Sequence, residues 1–350
     1  MRVSTFMTLA LSDEQNGYYK NATPFGKEGD FITAPEISQM FGELIGIWVI
    51  ETFNTLNKPS SFSLCELGPG RGTLMQDLLR TIKKLSAECF EAANVLMVET
   101  SDKLIEQQKQ ALSAYCDKIH WLKDFDKLAC APLILVANEF LDALPIDQFI
   151  KIDGQWHERL IATDDNDQLG FAVGHNVLDQ KSLPKKYQDL PEGSVLELSP
   201  ARLQFVEQVL KHLSRHHGSA LFIDYGSTGL PYGDTLQAIS HHAFSNIFAN
   251  PGKDDLTSHV DFSSLEVIAE RQGILSGVIT QGAFLTGMGL IERAGQLGAN
   301  KGTAVQEKIR SVVERLAGPN EMGTLFKVLC LSDKKTGLHR LFTAGNTSHN

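Results

Sequence analysis

The chain has 350 residues, 42% of them apolar, enough to bury one elaborated core or two, and 32 Lys+Arg against 42 Asp+Glu leave a formal net charge of -10. That balance, without a clustered basic patch, disfavours a broad phosphate-binding face, so nucleic acid is not an expected partner and a cationic one suits the surface better. Cys65, Cys89, Cys116, Cys130 and Cys330 are odd in number, widely spaced and without metal-ligand spacing, as expected of thiols in a reducing compartment rather than of disulfides or a metal centre.

The opening MRVSTFMTLALSDEQ carries one Arg and a short apolar run but no small-residue cleavage site, so it is expected as a packed N-terminal helix. The stretch NGYYKNATPFGKEGDFI is too irregular for core and too apolar for a plain linker, which suits a loop that covers a ligand. Residues 33–54 are predicted as one helix. Thr33 and Glu36 can form a reciprocal capping box there, and Ile37, Met40, Phe41, Leu44, Ile45, Trp48 and Val49 share a face. No stretch reaches the roughly eighteen uninterrupted apolar residues of a membrane span.

Short apolar runs follow at 62–67, 94–100, 118–125 and 132–140, and a fifth comes later at 219–226. Runs of this kind separated by helical stretches predict an α/β fold with a parallel sheet, in which ligands collect at the carboxyl ends of the strands. Those ends carry Glu66, Glu99, Asp124, Asn138 with Glu139, and Asp224. Between the fourth and fifth runs, GQWHERLIATDDNDQLGFAVG alternates around a polar turn and predicts a hairpin, and SVLELSPARLQFVEQVLKHL predicts a strand entering a helix at Ser199-Pro200. His212 and His216 lie four apart in that helix, but their polar surroundings read as a solvated helix end rather than a zinc site. A helix over AVQEKIRSVVERLAGP, with Val305, Ile309, Val312 and Leu316 on one face, and a strand GTLFKVLCL complete the series.

Gly68-Pro-Gly-Arg-Gly72 places three glycines between the first strand and a helix, where backbone must approach a ligand closely or adopt angles a Cβ forbids. The third glycine comes one position early for the dinucleotide fingerprint, and the phosphate-loop pattern is absent. Glu66-Leu-Gly-Pro-Gly-Arg-Gly72 instead resembles the first motif of S-adenosylmethionine-dependent methyltransferases. Along the chain FGKEGDFITAPEISQMFGELIGIW, ELGPGRGTLMQDLLR, ANEFLDALPIDQF, LELSPA, IDYG, GDTLQA, LTSHVDF and TQGAF, in this order, resemble the MidA-like family, from about residue 8 to residue 331.

That resemblance implies a class I, Rossmann-like seven-stranded methyltransferase sheet with helices on both faces, an N-terminal helical extension and an inserted hairpin and helix subdomain. The boundaries expected are 1–60 for a helical lid region, 61–150 and 219–345 for the two halves of the methyltransferase domain, 151–218 for the insertion and 346–350 for a frayed tail. It also implies S-adenosyl-L-methionine as methyl donor and a protein arginine as acceptor, the mitochondrial member acting on a respiratory complex I subunit. The expected location is cytoplasmic, or the mitochondrial matrix if a transit segment precedes this chain.

Glycines 68, 70 and 72 would pass close to the methionine and ribose portions of the donor, Glu99 is placed for the ribose hydroxyls, and Asp124 or Phe125 for adenine. Glu66 and Asn138 are counted with the cofactor residues, as are Gly29 and Asp30 in the covering loop. An arginine nucleophile needs carboxylates that localise its charge, and Glu139, Asp142, Glu197 and Asp224 are the candidates. His259 and Asp261 of LTSHVDF stand as further groove candidates. Two other readings stay open: a noncatalytic S-adenosylmethionine-binding assembly factor, and a small-molecule methyltransferase.

Overall fold

In the computed structural model the described residues are 1–21, 33–179, 181, 183, 187–229, 233–240 and 243–343, the side chains of 20 and 21 excepted. Gly29 and Asp30, and most of the expected covering loop, lie outside them. The strands in chain order are β1 (Phe62–Leu67), β2 (Ala93–Val98), β3 (Ile119–Leu122), β4 (Leu133–Asn138), β5 (Asp147–Ile152), β6 (Gln155–Thr163), β7 (Leu169–Val177), β8 (Val195–Leu198), β9 (Gly218–Ser227), β10 (Gln237–Ser240), β11 (Ala243–Ser245), β12 (Asp255–Thr257), β13 (Val260–Asp261), β14 (Leu275–Thr280) and β15 (Phe326–Ser332).

The chain divides into two units: Met1–Phe31 with Leu141–Phe205 and Ser227–Ser263, and Ile32–Phe140 with Val206–Gly226 and Ser264–Asn350. This differs from the expected boundaries. The N-terminal helix Val3–Ser12 and residues 227–263 group with the insertion, because Val3, Phe6, Met7 and Leu11 bury themselves against Ile146, Ile161 and Leu256. Arg2 pairs with the buried Glu158 at 3.0 Å and Ser4 donates to Asp147 at 2.5 Å, which ties the same helix to β5 and β6.

The larger unit is built on seven strands in the order β14-β15-β9-β4-β1-β2-β3. Strands β3, β2, β1, β4 and β9 are parallel, and β15 runs antiparallel between β9 and β14. Every residue of β1, Ser63 and Glu66 included, is buried, as suits a central parallel strand covered on both faces. The order reverses between β1 and β4, which opens a crevice at the carboxyl ends of these strands. Register brings the acids to one level: Leu67 lies beside Val98 and Ala137, and Asn138 beside Ile223.

Helix Gln39–Thr55 packs on helix Thr73–Leu85 through glycines; a Cβ at Gly42 would lie 2.7 Å from Asp77 Cβ, and one at Gly46 would lie 3.1 Å from Thr81 Cβ. The single helix expected over 33–54 is two, Ala34–Ile37 and Gln39–Thr55, broken at the extended Ser38, whose hydroxyl accepts from Met40 N at 3.2 Å. The expected Thr33–Glu36 capping box does not form. Thr33 makes no side-chain cap bond, and Glu36 instead accepts from Thr73 Oγ1 at 2.6 Å and pairs with Arg71 at 3.5 Å, so it braces the turn after β1. Strand β14 was not among the expected runs, since Ser276 and Gly277 interrupt the apolar Leu275 and Val278-Ile279 of LSGVIT. Val305 is exposed, while Leu316 of the same helix, Thr303–Ala317, is buried.

The smaller unit holds an antiparallel sheet of order β7-β6-β5-β8, the hairpin expected from the sequence included, and a three-stranded sheet β11-β10-β12. Trp156, Tyr187 and Leu196 form a second, separate core in it.

Candidate active site

The loop after β1 owes its shape to its glycines: Gly68, Gly70 and Gly72 all have positive φ, at 56°, 53° and 82°. Gly68 N donates to Val98 O at 3.1 Å, and Gly72 N closes a turn on Pro69 O at 2.8 Å before starting helix Thr73–Leu85. Gly68 serves the protein's own packing as well, because a Cβ there would lie 3.1 Å from the Phe140 ring.

Two buried acids flank this loop. Glu66, next to last in β1, has its Oε2 buried and, among the described residues, without a hydrogen-bond partner. Burial raises its carboxyl pKa well above the ordinary value, and the nearby charge of Glu99 adds to the effect. Glu99, just past β2, accepts from Ser101 N at 2.8 Å and from Gln108 Nε2 at 3.2 Å, and burial raises its pKa against those bonds. The Thr100 backbone N–H also donates to it, and with about four acceptor sites on a carboxylate these three donors still leave Glu99 short of saturation.

Asp124 is exposed; its carboxylate caps the short turn Phe125–Lys127 by accepting from Asp126 N at 3.0 Å. Phe125 is buried, 6.4 Å from the His212 ring. His212 is half-buried with Nε2 3.0 Å from Ala131 O, so this position is a packed one rather than the solvated helix end expected.

At the end of β4, Glu139 holds a left-handed backbone, φ 52°, uncommon for a residue with a Cβ and a form of strain that collects at functional sites. Its N–H donates to Ile223 O at 2.9 Å, and its Oε1 accepts from Asn138 Nδ2 at 3.0 Å. Asn138 Oδ1 is buried and, among the described residues, has no hydrogen-bond partner. Asp224 is buried and accepts from Phe140 N at 3.2 Å and Tyr225 N at 3.0 Å. Thus Glu66, Glu99, Asn138, Glu139 and Asp224 share one unit and one end of its sheet.

Asp142 and Glu197 belong to the other unit. Glu197 Oε1 accepts from Gln148 Nε2 at 2.8 Å, Thr235 N at 2.9 Å and Leu236 N at 3.2 Å, and its Oε2 accepts from the Thr235 hydroxyl, so protein donors hold both oxygens. Burial raises its pKa against these donors. Asp142 is buried, and its backbone carbonyl accepts from Arg202 Nη2 at 3.1 Å. The buried Arg202 also donates to Leu141 O at 2.6 Å, His259 O at 2.7 Å and the Ser258 hydroxyl at 2.6 Å. His259 N donates to Thr235 Oγ1 at 2.9 Å.

Sequence reasoning passed over Gln108, Phe140 and Arg202. The Pro-Ala-Arg at the start of the helix after β8 was a visible signal for Arg202, whereas a lone Gln on a polar helix offers none. Among the described residues no three His, Cys, Asp or Glu side chains gather as a metal site.

The glycine turn, a buried acid with an unmet oxygen and an unsaturated second acid suit a ligand that brings hydroxyls and a cation, as S-adenosylmethionine does. Comparison with known proteins agrees. Residues 44–279 match the family described as "Putative S-adenosyl-L-methionine-dependent methyltransferase". The Drosophila melanogaster protein arginine methyltransferase NDUFAF7 homolog, mitochondrial, is 36% identical over 94% of this chain and 80% of its own length. Its Homo sapiens counterpart is 31% identical over 94% of this chain and 79% of its own. A solved Burkholderia thailandensis protein, described as a "likely methyl transferase" and bound to S-adenosyl-homocysteine, superposes with a TM-score of 0.88 at 28% identity, covering 100% of this chain and 92% of that one. With the family match spanning more than half of its residues, the chain belongs to this family and is a class I methyltransferase dependent on S-adenosylmethionine.

Proposed function

We propose that the protein methylates an arginine of a protein substrate, and that the acceptor is a subunit of respiratory complex I. The relatives named as protein arginine methyltransferases support the arginine, and the motif resemblance supports the complex I subunit. The observation that carries the chemistry is Glu139, a carboxylate held in a left-handed backbone at the carboxyl end of β4, in the same unit as Glu66 and Glu99.

The donor supplies a methyl group activated on a sulfonium, and its sulfur leaves as a neutral thioether when the nitrogen–methyl bond forms. A guanidinium has a pKa above about 12, so its charge must be localised away from the attacking nitrogen and one proton must leave. Glu139 does the first by pairing with the guanidinium, and carboxylate or water receives the proton. Asp224, by accepting from Phe140 N, holds the backbone beside Glu139 rather than meeting the substrate itself. Glu99 accepts the ribose hydroxyls and Glu66 faces the remaining polar groups of the donor; Gly68, Gly70 and Gly72 let the backbone run against it. Glu197, held on both oxygens by protein donors, keeps Thr235 and Leu236 in place.

The test is incubation of the protein with isotopically labelled S-adenosylmethionine and lysate from cells lacking it, followed by mass spectrometry of labelled peptides. Label on arginine of a complex I subunit is the expected result. Label on a small metabolite, or cofactor binding without any labelled product, would overturn the proposal.

A further inference from the structure

Gln108 is fully buried on helix Asp102–Ala111, 0% exposed, yet no step of the chemistry above uses it. Its Nε2 donates to Gly70 O at 2.8 Å and to Glu99 Oε2 at 3.2 Å, and its Oε1 accepts from Trp121 Nε1 at 2.9 Å. An indole N–H only donates, whereas a carbonyl and an ionised carboxylate only accept. Chemistry therefore fixes which end of the amide faces which partner. A single nitrogen with two donors beside one acceptor is what the three partners demand together. These partners come from the loop after β1, the end of β2 and the end of β3.

We infer that Gln108 is a positioning residue for S-adenosylmethionine, which it does not touch: it locks the glycine turn to the ribose acid so that both meet the donor in one fixed relation. The inference rests on the reading that Glu99 and the glycine loop hold the donor. The contacts on Gly70 and Glu99 make this more than core packing. A buried amide on two apolar neighbours would order the fold alone, whereas this one joins a turn with three positive-φ glycines to a carboxylate that still has acceptor capacity.

The experiment measures S-adenosylhomocysteine affinity by calorimetry for Gln108→Met, Gln108→Glu, Glu99→Ala and the pair Glu99→Ala with Gln108→Met, with circular dichroism confirming folding. Gln108→Met should weaken binding about tenfold, the scale of a lost hydrogen bond to a charged group. Because Gln108 acts through Glu99, the double variant should lose clearly less than the product of the two single losses. Gln108→Glu adds an acid facing Glu99, so its affinity should be poor near neutral pH. It should recover as pH falls, because the protonated acid donates again; the unmodified protein shows no such recovery. Affinities at the unmodified level in both Gln108 variants, or a loss that multiplies fully with that of Glu99→Ala and has no recovery at low pH, would overturn the inference. Should Gln108→Met fail to fold, the pH profile of Gln108→Glu decides alone. Unchanged affinity in Glu99→Ala would instead refute the underlying reading of the ribose acid.

Discussion

Glu139 makes two demands on its position that pull apart, since a carboxylate is wanted where the backbone favours glycine. Glu139→Gly should therefore raise stability by about 1 kcal/mol in denaturant unfolding while abolishing methylation, the signature of strain kept for function. Glu139→Gln keeps the shape and loses the charge. Methylation of the identified acceptor should then fall about 10²-fold or more, with S-adenosylhomocysteine affinity in calorimetry nearly unchanged. A parallel loss of affinity would move Glu139 into the donor pocket. At the glycine loop, Gly70→Val should abolish cofactor binding in a folded protein, because it sets a branched side chain at φ 53°. Calorimetry on a variant with native circular dichroism checks it, and retained affinity would remove Gly70 from the site.

Among the elements, the pairing of β4 with β9 sets where Asn138, Glu139 and Asp224 end, and it depends on a glycine at the opposite end of the strands. Gly218 has φ 129°, and a Cβ on it would lie 1.9 Å from Leu133 O, its register partner. Gly218→Ala cannot be absorbed by a side-chain rotation, since the obstacle is backbone. A loss of about 3 kcal/mol is expected, read as a lower midpoint in thermal unfolding. Helix Gln39–Thr55 shows why element boundaries escaped the sequence: its apolar face was legible, but the break at Ser38 exists because Glu36 is drawn to Thr73 and Arg71, residues far along the chain. The helix that follows β1 was legible because its spacing is a local property.

Over the whole molecule, acidity is held inside as well as outside, and this has a pH signature. Burial raises the Asp77 carboxyl to about 6 from 3.8, against the opposing pull of Arg80 at 2.7 Å. The folded chain thus binds this proton more tightly than the unfolded one, so the contribution of Asp77 is favourable at low pH and is lost as pH rises from 3.8 through about 6. Asp77→Asn should gain stability relative to the unmodified protein across that window and hold the gain above it, as unfolding in denaturant at several pH values will show. A difference that is flat with pH would mean that Arg80 fully compensates the charge.

The sequence by itself determined the α/β class, five of the seven strands as the apolar runs of a parallel sheet plus the antiparallel β15, the glycine turn after β1 and the acids that end the strands. All of these are carried by residue type and short spacing, which act within a few positions along the chain. Only the tertiary structure decided that residues 1–31 and 227–263 group with the insertion, that Glu197 accepts from Gln148, Thr235 and Leu236, and that Gln108 joins Gly70 to Glu99. Those outcomes depend on groups brought together from distant segments, where burial makes each polar atom seek a partner that no local pattern announces.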